Sequence, residues 1–323
     1  LSEKYICSYI ELTLYYINII QEARKTGLFC VHLHVNTAKT MEGHIERTIR
    51  VNGQLMDLST PKVMGILNVT PDSFYAGSRK ETTSDIVNRV EQIITEGADM
   101  IDIGAYSSRS NAEHVSTKEE MARLRKGLEA IREVAPEAIV SVDTFRADVA
   151  SMCVEEYGTA LINDISGGQM DERMFDTVAR LDVPYIMMHM QGTPQDMQQY
   201  IHYDHLRMEI MQYFALRVQD LHARGVKDII IDPGFGFGKT LAHNYELFKH
   251  LEDFKLFELP LLVGISRKSM IYKLLDSSPE EALNGTTVLN TIALTKGVDI
   301  LRVHDVKACV EAVRIFNQMN EQK

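Results

Sequence analysis

The chain has 323 residues, 45% of them hydrophobic and 24% charged, a balance that predicts a soluble α/β protein of one large domain or two small ones. Its formal net charge of −11 excludes an extended nucleic-acid surface, which needs a basic stripe, but is compatible with a local basic pocket for an anionic substrate. Cys7, Cys30, Cys153 and Cys309 are scattered and form no C-x-x-C pair, which argues against a disulfide frame or a zinc site and for reduced thiols in the cytoplasm.

In chain order, the apolar run Leu12–Ile20 is too short to span a bilayer. Glu3, Glu11 and the lack of a small-residue cleavage site argue against a signal peptide, so no membrane partner is expected. Residues 1–47 read as an N-terminal extension of unknown role, either the product of a gene start placed ahead of Met41 or a small helical appendage. The domain proper is expected over 48–323. It opens with a short hairpin turning at Asn52-Gly53. Strand-like runs then fall at 62–67, 99–103, 138–142, 160–163, 184–188, 228–231, 260–265 and 299–303. Helical patterns alternate with them at 83–97, 117–134, 146–157, 171–181, 204–224, 243–251, 280–297 and 305–320. Eight strands each followed by a helix predict a closed (β/α)8 TIM barrel rather than an open doubly wound sheet.

Chemistry in such a barrel sits at the C-terminal strand ends. Here they are polar in phase: Asn68 in "GILNVTPDSF", Asp102 leading into "GAYSSRSNA", Asp143, Asn163-Asp164, the "YIMMHM" run with His189, Asp232, "SRKS" and "RVHD". One polar strand end is usually a cap or a turn. Eight of them converge on one mouth.

The residue types describe a ligand. Asp143, Asn163 and Asp232 offer acceptors to a flat, donor-rich heterocycle, Lys268 can meet its carbonyl or ring nitrogen, and Met187 and Phe237 are the expected apolar walls. Arg302 and His304 alternate along the last strand and, with Asn68, form an anion corner suited to a diphosphate with magnesium. "GFGFGKT" is not a phosphate loop, because Pro233 stands where the first glycine is required; its glycines are expected to let backbone lie close to a planar ligand. His189 reads as a structural histidine rather than a base or a zinc ligand.

These motifs, in this order, resemble the dihydropteroate synthase family over roughly residues 48–318: "GILNVTPDSF", "DIGAYSSR", "SVDTF", "NDISGG", "DPGFGFGK", "GISRKS" and "RVHD". The resemblance implies a (β/α)8 barrel, a homodimer, and condensation of 4-aminobenzoate with 6-hydroxymethyl-7,8-dihydropterin diphosphate to 7,8-dihydropteroate and pyrophosphate, with Mg2+. It implies that Asn68 helps hold the magnesium–diphosphate, that Asp143, Asn163, Asp232 and Lys268 bind pterin, and that Arg302 and His304 bind the diphosphate. Asp143, Asp232, Lys268 and Arg302 are the expected catalytic set. Phe74, Ser108, Ser110 and Ser269 shape the aminobenzoate pocket, and Arg109 beside them counts among the substrate-binding residues. With no nucleophile–base pair in the sequence, a dissociative displacement is expected. A pterin-dependent methyltransferase barrel and a non-catalytic pterin-binding protein are the rival readings. The family's Ser-Thr-Arg-Pro-Gly loop appears as Ser107-Ser108-Arg109-Ser110-Asn111, and losing the rigid proline edge predicts reduced sulfonamide sensitivity.

Overall fold

The computed structural model describes residues 47–70, 83–106, 115–199 and 201–320. Residues 1–46 of the 1–47 extension and the sequence-predicted site residues Phe74, Ser108, Arg109 and Ser110 lie outside the described residues. The chain divides into two units between His44 and Ile45, and the second unit holds every element described below.

Strands β1 (Thr48–Val51) and β2 (Gln54–Asp57) form an antiparallel hairpin with Val51 opposite Gln54. Asn52 and Gly53 have φ of 50° and 77°, the left-handed pair that a two-residue hairpin turn requires. Eight parallel strands follow: β3 (Lys62–Asn68), β4 (Met100–Gly104), β5 (Val140–Asp143), β6 (Leu161–Asp164), β7 (Tyr185–Met188), β8 (Ile229–Asp232), β9 (Leu262–Val263) and β10 (Ile300–Val303). They pair in the order β8-β7-β6-β5-β4-β3-β10-β9. A parallel bridge between Ile231 and Leu261, with the Ile231 N–H donating to Pro260 O at 3.0 Å, closes the barrel.

The intervening helices are α1 (Thr83–Thr95), α2 (Thr117–Val134), α3 (Ala147–Tyr157), α4 (Met174–Leu181), α5 (Leu206–Ala223), α6 (Leu241–Lys249), the single turn α7 (Ser269–Tyr272), α8 (Leu283–Thr295) and α9 (Val306–Asn320). Two features depart from the sequence expectation. A 3-10 helix spans Leu251–Phe257, whose buried residues Leu251 and Phe254 stand three apart, the repeat of that helix. β9 is two residues rather than six. Pro260 has no N–H for the ladder, and the Lys268 N–H folds back onto Ile265 O at 3.1 Å, turning the chain out of the sheet.

Alternation along each strand sorts the side chains. Outward residues such as Leu67, Ile103, Val142, Ile162, Ile231 and Val303 pack in one core with the helices. Inward residues Met64, Met100, Leu161, Ile186, Ile230, Leu262 and Ile300 fill the N-terminal half of the barrel, where Ile49, Val51 and Leu58 of the hairpin segment join them as a plug. Two Gly-x-Asp segments seal that end. Asp99 accepts the Val63 N–H at 2.7 Å, and Asp299 accepts the Leu261 N–H and an Arg47 N–H, both at 2.8 Å. No helix among the described residues is long and apolar enough to cross a membrane.

Candidate active site

With the N-terminal half packed, the inward positions that stay polar lie at the C-terminal ends. Strand register sets Asn68 opposite Gly104, Gly104 opposite Asp143, and Asp143 opposite Asn163. This row across four strands has one position without a side chain. Just below it lies Asp102, fully buried. Its Oδ2 accepts from Arg302 Nε at 2.6 Å and from Asn163 Nδ2 at 3.1 Å. Arg302 Nη2 donates to Asp143 Oδ2 at 2.8 Å, so one guanidinium bridges carboxylates of β4 and β5. Asp102 Oδ1 is buried with no hydrogen-bond partner among the described residues. Burial pushes the Asp143 carboxyl up to about 7, against the pull of Arg302 and with repulsion from Asp102.

On the opposite wall, Asp232 ends β8 and accepts the Gly234 N–H at 2.8 Å. Burial raises its pKa, with Lys268 opposing. Lys268 Nζ donates to Phe235 O at 2.6 Å and stands 4.7 Å from the centre of the Phe237 ring, a cation–π distance. Burial lowers the Lys268 ammonium to about 8 while Asp232 supports its charge. Ser269 follows it, half-buried at the start of α7. His304 stands exposed at the rim of β10, with its backbone N–H and its Nδ1 each 3.1 Å from Ser266 Oγ. Arg89 of α1 donates to His304 O at 2.6 Å and to Ile66 O at 3.3 Å, tying the ends of β3 and β10 together.

The structure gathers Asn68, Asp143, Asn163, Asp232, Phe237, Lys268, Ser269, Arg302 and His304 at the strand ends of one mouth, and it corrects three expectations. Met187 is not a wall of the mouth: it is fully buried in the outer core with Tyr185 and Ile231. Inward and outward alternate, so Met188 takes the inner position, clustered with Phe145, Ile165, Met190, Met197 and the half-buried Phe237. Arg302 is not a free member of an anion corner, because two carboxylates hold its guanidinium. The glycines of "GFGFG" first serve their own chain: Gly234 has φ of 70°, and a Cβ there would lie 1.9 Å from His189 O. Arg267, next to Lys268, grips Asp305 with two N–H···O bonds of 2.8 Å.

Sequence reasoning counted Asp102 among the polar strand ends but assigned it no ligand contact, and it gave no role to Met188. Both were within reach of the two-residue repeat: Asp102 lies two before Gly104 and Met188 two after Ile186, on inward positions. His189, expected to be structural, is 6% exposed and makes an edge-on ring contact with Tyr213, centroids 4.7 Å apart.

The pattern of pterin-binding enzymes matches residues 64–304. The dihydropteroate synthase of Escherichia coli is 42% identical over 265 residues, 81% of this chain and 93% of that one. That of Haemophilus influenzae is 38% identical over 267 residues, 82% and 96% of the two chains. The Yersinia pestis dihydropteroate synthase solved with a sulfonamide drug superposes with a TM-score of 0.79 at 40% identity, covering 86% of this chain and all of that one (100%). The Xanthomonas albilineans enzyme solved with 4-aminobenzoic acid gives 0.79 at 34% identity, with 86% and 100% coverage. The matched stretch spans all the strand ends of the mouth, and at this length and identity the chain belongs to the dihydropteroate synthase family, transferases of folate synthesis.

Proposed function

We propose that this enzyme condenses 4-aminobenzoate with 6-hydroxymethyl-7,8-dihydropterin diphosphate, releasing 7,8-dihydropteroate and pyrophosphate, by a dissociative displacement. The observation that carries the reading is Oδ1 of Asp102, a buried acceptor with no partner among the described residues, just below the row of polar strand ends. An unpaired buried oxygen costs about 1–3 kcal/mol until a donor arrives, and a pterin edge is a strip of N–H donors. Asp143, Asn163 and Asp232 offer the remaining acceptors, Lys268 faces the ring's carbonyl or ring nitrogen, and Met188 and Phe237 supply apolar surface.

In this reading the bond from the exocyclic methylene carbon to the diphosphate oxygen breaks first, and its electron pair leaves with pyrophosphate. The carbon cation is delocalised into the dihydropterin, where the carboxylates of Asp102, Asp143 and Asp232 favour it. Lys268 and His304 are assigned to the leaving-group side, while Arg302 stays between Asp102 and Asp143. The aniline nitrogen of 4-aminobenzoate then forms the C–N bond and gives up its proton, so no strong base is needed. Among the described residues no three His, Cys, Asp or Glu side chains gather as metal ligands. Asn68 as a single oxygen ligand still fits magnesium, an ion bound mostly through substrate phosphate and water. When bound, the ion supplies charge neutralisation to the diphosphate.

Phe74, Ser108, Arg109, Ser110 and Ser269 are assigned to the aminobenzoate side by resemblance, and the enzyme is taken to be a cytoplasmic homodimer. Pyrophosphate release from the two substrates, with and without Mg2+, tests the reaction. Pyrophosphate released with no 7,8-dihydropteroate formed when both substrates are present, or no release at all, counts against it. Ser110→Pro is expected to lower the sulfonamide inhibition constant more than the aminobenzoate KM, and equal shifts would remove that assignment.

A further inference from the structure

The "GFGFGK" turn is wired almost entirely by side chains. Its successive carbonyls are all taken. Gly234 O accepts from Lys239 Nζ at 2.9 Å, Phe235 O from Lys268, Gly236 O from Gln198 Nε2 at 3.0 Å, Phe237 O from Lys239 Nζ at 3.1 Å and Gly238 O from the Tyr203 hydroxyl at 3.0 Å. The centre of this wiring is Lys239, only 3% exposed, whose Nζ also lies 2.9 Å from His189 Nδ1. Buried lysines are rare unless paired, yet no carboxylate touches this one among its described contacts. Burial pushes its pKa down to about 7, with Asp232 opposing and Lys268 adding to the shift. Asn244, also 3% exposed, completes the set: its Oδ1 accepts the Gly236 N–H at 2.7 Å, and its Nδ2 donates to Thr240 O at 2.7 Å.

The turn's inner side carries three features of the mouth. Gly234 joins Lys239, which donates to its carbonyl, to Asp232, which accepts its N–H. The Phe235 carbonyl anchors Lys268, and the Phe237 ring faces the same ammonium. We propose that Lys239 is a positioning residue that sets affinity for the pterin substrate without touching it, by fixing the turn that orients Asp232, Lys268 and Phe237. The proposal rests on the pterin reading of the mouth. A purely structural lysine would affect only how much protein folds. A positioning lysine changes the geometry of the folded mouth.

The experiment uses the full chain and three variants: Lys239→Met, which keeps the stem and removes the donors; Asn244→Ala, which loosens the same turn from its other side; and Asp299→Asn, a buried change at the opposite end of the barrel. Dihydropterin diphosphate binding is measured by calorimetry without 4-aminobenzoate, per folded molecule, together with Tm. Lys239→Met is expected to raise Kd at least tenfold and Asn244→Ala at least threefold, while Asp299→Asn lowers Tm and leaves Kd unchanged. Wild-type affinity in both turn variants overturns the proposal, as does an equal Kd change in Asp299→Asn. If Lys239→Met does not fold, Asn244→Ala decides alone, and an unchanged Kd overturns the idea. A wild-type protein that does not bind dihydropterin diphosphate overturns the pterin reading, and this proposal with it.

Discussion

At the N-terminal end of the barrel, Asp299 joins a backbone N–H and an arginine at the edge of a largely apolar layer; at the C-terminal end, Asp102 is buried more deeply and keeps one oxygen with no partner among the described residues. The strands are the same and only the position along them differs. Below, the inward residues Met64, Met100, Leu161, Ile186, Ile230, Leu262 and Ile300 are all hydrocarbon or thioether, with the hydroxyl of Ser141 the exception beside Leu161, and the hairpin covers them. Above, four aspartate, asparagine and arginine side chains from β4, β5, β6 and β10 share three hydrogen bonds. A domain stabilised by only about 5–15 kcal/mol cannot carry many such buried charges without compensation. The packed lower half supplies it, since each fully buried Ile, Leu or Met contributes roughly 1.5–3 kcal/mol. Burial is therefore used for stability at one end, and at the other it raises the energy of groups that a ligand will satisfy.

The strongest way to break this comparison is Arg302→Ala. The change removes the cation between Asp102 and Asp143, and kcat/KM is expected to fall by roughly 10²–10³, about 2.7–4 kcal/mol of lost transition-state stabilisation. Tm should fall too, because two buried carboxylates then repel each other. Arg302→Lys keeps the charge but not the forked geometry and should lie between the two. Steady-state kinetics within tenfold of wild type for Arg302→Ala would show that the bridge serves packing alone.

The converse change lies in the plug. Ile49 is buried in the lower layer, and Ile49→Ala is expected to cost about 2–3 kcal/mol in denaturant unfolding through the lost transfer energy and a residual cavity. KM for both substrates should stay within twofold. A raised pterin KM would mean that the lower layer transmits strain to the mouth, and the division of labour would be wrong.

Proton linkage sharpens the contrast. Asp143 has its pKa raised from 3.8 to about 7, so the folded state resists ionising it. The cost of that ionisation is absent below the unfolded value near 4 and fully present above 7, so this carboxyl makes the fold less stable as pH rises between them. Pterin donors need the ionised form, so affinity should move the other way and rise about tenfold per pH unit as pH climbs toward 7. Calorimetric Kd from pH 5.5 to 8 checks this. Asp143→Asn should flatten the profile and Asp299→Asn should leave it intact; a flat wild-type profile would remove Asp143 from the binding set.

Much of this was legible in the sequence, for identifiable reasons. Strand positions could be read because each apolar run is bounded by a turn, and the mouth because polar residues recur at strand ends in phase. Asp143, Asn163, Asp232, Lys268, Arg302, His304 and Asn68 were read that way, and they lie at the strand ends. Asp102 was harder, because its place is set by alternation inside a strand and a run such as "MIDIG" gives no face of its own until Gly104 is known to point inward. The Arg302 bridge joins residues 200 and 159 positions apart, a closure that only the barrel supplies. Lys239 hid behind its resemblance to a phosphate loop, since nothing in one-dimensional spacing shows that its partners are carbonyls of its own turn.

The smallest expected effect concerns the adjacent methionines of β7, where sequence reasoning chose the wrong one. Met187 and Met188 are both buried, at 0% and 3% exposure, and share one strand and one chemistry. They differ only in the face they occupy: Met187 packs on the helices, Met188 against Phe145 and Met190 near the mouth. Leucine conserves volume but is branched and stiffer than methionine, a swap that usually costs below about 1.5 kcal/mol in a core. Met187→Leu should spend that cost on stability, lowering Tm by a few degrees, in the range of about 2–4 °C per kcal/mol for a large domain, with pterin Kd unchanged. Met188→Leu should leave Tm nearly unchanged and weaken pterin binding by roughly two- to fivefold, because a stiff branched wall follows a planar ligand less closely than a polarisable thioether does. Paired measurements of Tm and Kd on the two variants decide it. If both variants shift the same quantity, the face of the strand does not separate folding from binding, and Met188 has no claim to the mouth beyond proximity.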